Sequence, residues 1–159
     1  MESTDNLHIR LFGDPVLRQK AQPVTKIDTE LRRLLQSMAT VMYEAEGVGL
    51  AAPQVGILER VVVIDVGDGL LALINPEIIT KEGEEELGVE GCLSLPGIVG
   101  DVSRNNKVKV RALNIDGEEL EIEGKGLLAR AFQHELDHLD GVLFIDKAQN
   151  LRPSQSQED

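Results

Sequence analysis

The segment Gln133-His134-Glu135-Leu136-Asp137-His138 constrains this chain more than any other. It carries the pattern H-E-x-x-H, and Leu127, Leu128, Ala131, Phe132 and Leu139 recur around it at helical spacing. On a helix, His134 and His138 sit four positions apart and project from one face. Gly141 follows as the stop, because glycine takes the left-handed conformation beyond a helix end without steric cost. Two readings stand at this point. The helix is an ordinary polar one, or its imidazoles bind one metal ion with Glu135 beside them as a proton carrier. A third ligand elsewhere in the chain decides between them.

A chain of 159 residues is expected to form one domain spanning 1–159, large enough to bury its core without disulfide staples. Aromatics make up only 3% with no Trp, so that core has to come from Leu, Ile, Val and Ala. The formal net charge of -12 repels nucleic-acid phosphates and anionic membranes. No apolar run is long enough for a membrane span. The polar, acidic start Met1-Glu2-Ser3-Thr4-Asp5 does not resemble a signal peptide, and the expected location is cytoplasmic. The one cysteine, Cys92, has no partner for an internal disulfide. In a reducing compartment it is a buried small hydrophobe, a nucleophile or a metal ligand.

Taken in order, residues 1–8 read as a polar arm. Asp28 is a suitable N-cap for a helix whose apolar stripe is Leu31, Leu34, Leu35, Met38, Val41 and Met42, ended by Gly47. The stretch Gly47-Val48-Gly49-Leu50-Ala51-Ala52-Pro53-Gln54 is either a connector or a loop whose glycines let backbone approach a ligand, with Gln54 presenting an amide N–H. Val61–Ile64 is a buried β-branched strand, paired as a hairpin with Leu70–Ile74, and Asn75-Pro76 breaks the second strand. Lys81–Glu86 reads as an exposed loop or edge, Ile98–Val102 as a short strand, and Lys107–Leu113 as a half-buried strand. Asp116-Gly117 turns the chain into a return strand carrying Leu120 and Ile122. The polar tail from about Gln149 is expected to be disordered. Strands around two helices without βαβ alternation predict an α+β fold, with small, mostly antiparallel sheets around a central H-E-x-x-H helix.

Cys92 lies in a glycine-flanked bend, Glu90-Gly91-Cys92-Leu93-Ser94, which presents a thiol outward. With His134 and His138 it makes a set of one thiolate and two imidazoles, leaving a fourth position open for water. A carboxylate in that fourth position remains the alternative. His8, in the polar arm, stays outside the set.

The segments Gly47-Val48-Gly49-Leu50-Ala51-Ala52-Pro53-Gln54, Glu90-Gly91-Cys92-Leu93-Ser94 and Gln133-His134-Glu135-Leu136-Asp137-His138 together resemble the three signature motifs of bacterial peptide deformylases, in the family's order. The resemblance runs from about Ile9 to Lys147. It implies a metal-dependent hydrolase that removes the N-formyl group from the initiator methionine of new polypeptides and releases formate. It implies Cys92, His134 and His138 as metal ligands, with Fe²⁺ the usual ion and Zn²⁺, Ni²⁺ or Co²⁺ as substitutes. Glu135 then acts as general base and afterwards general acid. The Gln54 amide and the Leu93 backbone N–H become the oxyanion donors, Gly49 a backbone contact to substrate, and Val48 with Leu93 the wall of the methionine pocket. The implied partners are N-formylmethionyl nascent peptides, with a transient ribosome contact and a monomeric state. Two other readings stay open: an H-E-x-x-H metallopeptidase, against which a cysteine ligand argues, and a non-catalytic protein with a structural metal.

Overall fold

A computed structural model of the chain describes residues 7–154. The elements run α1 (Thr29–Glu44), β1 (Gly49–Ala51), β2 (Val61–Ile64), β3 (Leu71–Cys92), β4 (Leu95–Leu113), β5 (Glu119–Lys125), α2 (Leu127–Leu139) and β6 (Gln149–Pro153). The strands form one sheet in the order β1-β2-β3-β4-β5, with β6 pairing β4, and every pairing is antiparallel. Two helices on an antiparallel sheet make the α+β fold expected from the sequence, with one sheet in place of several small ones.

The run Val61-Val62-Val63-Ile64 explains how the helices are held. Alternate side chains of a strand point to opposite faces. Val62 and Ile64 pack with Phe132, Leu136 and Leu139 of α2, while Val61 and Val63 pack with Leu31, Leu34, Leu35, Met38 and Met42 of α1. All four strand residues are fully buried, which is why the sequence shows a continuous β-branched run and no polar alternation. Each such side chain contributes about 1.5–3 kcal/mol on burial. A third cluster, Leu17, Leu95, Val102, Leu143 and Phe144, packs beside the hairpin turn that follows Cys92. Close approach of β5 to α2 depends on Gly124, where a Cβ would lie 2.8 Å from Phe132 Cε2.

Asp28 caps α1, its Oδ1 accepting from Leu31 N at 2.9 Å. The helix ends at Glu44, and the left-handed residue behind it is Glu46 (φ 58), not the expected Gly47. Gly47 instead donates its N–H to Met42 O at 3.0 Å and leads into β1.

Several sequence readings are corrected by the long β3–β4 hairpin. Lys81–Glu86, read as an exposed loop or edge, is an exposed edge: it lies inside β3, where Lys81, Glu82, Glu85 and Glu86 pair with Val108, Lys107, Asn105 and Arg104 of β4, and no strand pairs its other side among the described residues. The expected short strand Ile98–Val102 is one segment of β4. Lys81–Glu86 is polar because this part of the hairpin is largely solvated, which conceals a strand from a reading based on hydrophobicity. Asn75-Pro76 does not end β3. Asn75 takes φ 52 and produces a register shift between Ile74 and Glu77, after which pairing resumes. Its amide bonds Val24 twice, accepting from the N–H at 2.8 Å and donating to the carbonyl at 2.9 Å.

The tail expected to be disordered from about Gln149 is ordered as β6. Ile98, Val99 and Asp101 of β4 pair with Pro153, Arg152 and Gln149. Backbone hydrogen bonds and an Arg152–Asp101 ion pair at 3.1 Å hold a strand that carries little apolar surface. The rest of that tail, 155–159, and the start of the polar arm, 1–6, lie outside the described residues. Among the described residues no helix is long and apolar enough to cross a membrane.

Replacing Asn75 by Ala is expected to destabilise the protein by about 1–3 kcal/mol, because two Val24 groups lose their partner. Asn75→Gly should be milder by about 1 kcal/mol, the cost of a left-handed backbone for a residue with a Cβ. Urea denaturation midpoints of the three proteins check both statements.

Candidate metal centre

The two histidines come from the middle and end of α2, one turn apart, with ring centroids 5.1 Å apart. Cys92 arrives from across the molecule at the last position of β3, where it pairs with Leu95 across the two-residue turn Leu93-Ser94. Its sulfur lies 3.3 Å from His138 Nε2. The ligand atoms of Cys92, His134 and His138 all fall within 4.8 Å of one another, and this is the one such group of His, Cys, Asp or Glu among the described residues.

Glu90, two residues before Cys92, fixes the orientation of His134. Its Oε1 lies 2.8 Å from His134 Nδ1, which leaves Nε2 of that ring to face a cation. Glu90 is itself buried and receives two bonds from Arg104, both 2.9 Å, and one from Arg130 at 2.7 Å. Arg104 also reaches Asp137 Oδ2 at 2.7 Å, so the network returns to α2 between the two histidines. Burial opposes the Glu90 charge, but hydrogen bonds from Arg104 and His134 outweigh it and hold its carboxyl down at about 2.

Donor chemistry fits a divalent cation. One thiol and two imidazoles converge, and two buried polar atoms nearby, Glu135 Oε1 and His138 Nδ1, have no hydrogen-bond partner among the described residues. The two imidazoles differ in how readily they carry a proton. Burial works against a charge on either ring. On His134 the sulfur of Cys92 and the Glu90 carboxylate reverse this and raise it to about 10, whereas burial and the neighbouring His134 push His138 well below the ordinary histidine value.

Beside the cluster lies a cavity of about 570 Å³. Val48, Gly49, Gln54, Cys92, Leu93, His134 and Glu135 all line it, so seven of the eight residues singled out in the sequence share one space. The eighth, His138, is fully buried and is not part of the lining. Gln54 sits in a 3-10 turn, Ala52–Val55, that Pro53 starts. Its Oε1 accepts from Ala51 N at 2.9 Å, which aims Nε2 at Ser94 Oγ (3.2 Å) and Cys92 Sγ (3.5 Å). The Leu93 side chain covers Gly47, where a Cβ would lie 2.7 Å from Leu93 Cδ1. Gly49 lies against Glu135: a Cβ there would be 2.5 Å from Oε2. Burial raises the Glu135 carboxyl to about 7, although the nearby His134 pulls the other way. A carboxyl in that range both takes up and returns a proton near neutral pH.

A family model of polypeptide deformylase matches residues 6–154. The chain belongs to the polypeptide deformylase family. Members of this family are metal-dependent hydrolases that remove the N-formyl group from the N-terminus of nascent polypeptides. The peptide deformylase of Thermoanaerobacter pseudethanolicus is 61% identical over 141 residues, covering 89% of this chain and 88% of that one. That of Carboxydothermus hydrogenoformans is 55% identical over 140 residues, covering 88% and 91%. Among solved structures, the Thermotoga maritima peptide deformylase superposes with a TM-score of 0.88 at 51% identity, covering 91% of this chain and 98% of that one. The enzyme from Synechococcus elongatus, solved in complex with actinonin, gives 0.89 at 47% identity, covering 92% and 80%.

Sequence reasoning missed the groups behind the Cys92, His134 and His138 cluster. Glu90 stood inside a quoted motif with no role assigned to it, and its spacing of two from Cys92 was the available signal. Arg104 carried none. It stands in Ser103-Arg104-Asn105-Asn106, which looks like a solvated turn, yet it is buried. Ser94, the acceptor for Gln54, was likewise left out.

Arg104→Met is expected to cost about 1–3 kcal/mol in denaturation, since Glu90 loses two of its bonds but keeps Arg130 and His134, and Asp137 keeps Lys147 at 3.0 Å. Gly49→Ala should keep its metal content by elemental analysis but lower kcat about 10²-fold, because the new methyl displaces the Glu135 carboxylate. An unchanged kcat would show that the carboxylate has room to move.

Proposed function

We propose that Cys92, His134 and His138 hold one divalent ion, natively Fe²⁺ with Zn²⁺, Ni²⁺ or Co²⁺ as substitutes, in a catalytic unit formed by the whole chain. The observation that carries this reading is the convergence of one thiol and two imidazoles in contact with the cavity that also receives Glu135 and Gln54. A mixed thiolate and imidazole set accepts all of these ions. The ion, when bound, supplies Lewis acidity and a more acidic water.

The remaining steps belong to the chain's own side chains. Glu135 takes a proton from the attacking water, which adds to the formyl carbon. The oxygen that becomes negative is met by the Gln54 amide N–H and the Leu93 backbone N–H. Glu135 then passes its proton to the amine nitrogen as the C–N bond breaks, leaving formate and a free N-terminus. Gln54 is suited to its part because its carbonyl is already tied to Ala51 N, so its amide group is oriented before substrate arrives.

An extended peptide suits the cavity. β1 is the edge strand of the sheet, and β3 from Glu77 to Cys92 pairs only with β4 among the described residues. Both strands contribute to the cavity wall, through Gly49 of β1 with Val48 just before it on one side and Val89 to Gly91 of β3 on the other. A substrate strand laid between them gains backbone hydrogen bonds from each. Val48 and Leu93 contribute apolar surface for the methionine side chain. N-formylmethionyl nascent peptides as substrate, transient association with the ribosome, a monomeric state and a cytoplasmic location complete the reading.

The metal-loaded protein is expected to release formate from formyl-Met-Ala-Ser and to leave the peptide bonds of Met-Ala-Ser intact. Glu135→Ala should retain the ion by elemental analysis while losing about 10²–10⁴-fold in rate. Cleavage of the unformylated peptide would instead identify a general peptidase, and a normal rate in Glu135→Ala would remove the proton-carrier role.

A further inference from the structure

β6 reaches the cavity as well as the sheet edge. Beyond its last residue, Ser154 donates its N–H to Gly97 O at 2.9 Å, and Ser154 lines the same cavity as His134 and Glu135, together with Gly97, Ile98 and Val99. Directly opposed residues of neighbouring strands share a sheet face. Gly91 of β3 opposes Val99 of β4, and Val99 opposes Arg152 of β6, so the three make one row across the sheet. Gly91 has no side chain, and a Cβ placed there would lie 3.4 Å from Val99 Cγ1. The side chain of a peptide strand paired to β3 beside Gly91 therefore meets Val99. The row ends in a neutralised pair. Arg152 Nη2 is 3.1 Å from Asp101 Oδ1 and its Nη1 donates to Asn150 O at 2.8 Å, while Asn150 Nδ2 reaches Asp101 Oδ2 at 3.2 Å. The strand is seated closely: a Cβ at Gly100 would lie 2.8 Å from Leu151 Cδ2 and 2.9 Å from Ala148 Cβ.

We propose that β6 is part of substrate recognition, holding the Gly97–Val99 wall in place so that an apolar side chain downstream of the formyl-methionine packs on Val99 over Gly91. This rests on the hydrolase reading and on a peptide lying along β3. The Arg152 charge is committed to Asp101, so the wall offers an uncharged surface and selects apolar residues. Its effect falls on peptides that extend past the methionine, because formyl-methionine amide has no side chain to place there.

The test compares formate release from formyl-Met-Leu-Phe and from formyl-methionine amide. Arg152→Gln in the full chain releases the clamp on Asp101 and is expected to lower the kcat/KM ratio of tripeptide over amide about fourfold, the worth of one buried methylene, mainly through KM. A chain ending at Ala148 should lower the ratio at least as much, and a chain ending at Ser154 should match the full-length ratio. An unchanged ratio in Arg152→Gln, or an equal loss on both substrates, would make β6 a brace without a part in recognition. If the chain ending at Ala148 does not fold, Arg152→Gln decides alone. Failure of the intact chain to release formate from either substrate would refute the hydrolase reading itself, which is a separate outcome.

Discussion

A single buried carboxylate, Glu90, joins the two halves of the Cys92, His134 and His138 cluster. Cys92 comes from the long hairpin and the two histidines from α2, and these elements share no covalent neighbour near the site. Glu90 sits two residues before the cysteine, bonds His134, and is held by Arg104 and Arg130. Burying a carboxylate without partners is prohibitive, so the geometry in which all these donors reach it is strongly preferred over a shifted hairpin. Such a network does little for net stability, because desolvation of several charges offsets their attraction. Its value is positional. A slip of the hairpin by one residue turns every side chain to the opposite face and would take Cys92 away from the imidazoles.

The same network explains which parts of the site were legible in the sequence. H-E-x-x-H is local, so helix periodicity alone places His134, Glu135 and His138. Cys92 stood out as a lone thiol in a glycine-flanked bend, whereas the stretch holding Gln54 and Gly49 also reads as a connector, and only the resemblance to deformylases singled those two out. Arg104 was not found, because its place is set by a pairing, Glu86 with Arg104, between residues eighteen positions apart in the chain. The helices and the Val61–Ile64 strand were read correctly, since a core face imposes a period on the residues. The polar parts of β3 and β4, and β6 at the end, were missed for the opposite reason. Backbone pairing on a solvated surface leaves no hydrophobic period to read. Glu46 in the left-handed position shows a further limit, because glycine was available one residue later and the chain does not use it there.

The site has to meet two conflicting demands. Metal ligands need a rigid frame, while a peptide substrate needs strand edges left unpaired, and unpaired edges invite aggregation. The fold separates these demands along one strand. At Cys92, β3 is tied into a tight turn and a fully bonded ion network. A few residues earlier, at Val89 to Gly91, the same strand keeps one edge without a strand partner inside the cavity wall. Arg130 stands at the boundary, donating to Glu90 Oε2 on one side and to Glu86 O on the other, with Gly88 pressed so close that a Cβ there would lie 2.7 Å from its Nη2. By consuming the Glu86 carbonyl it closes the exposed edge on the side away from that cluster. The length of β3 left open is therefore set by an arginine that also holds Glu90 and through it His134, so the open strand edge and the Cys92, His134 and His138 cluster are parts of one construction.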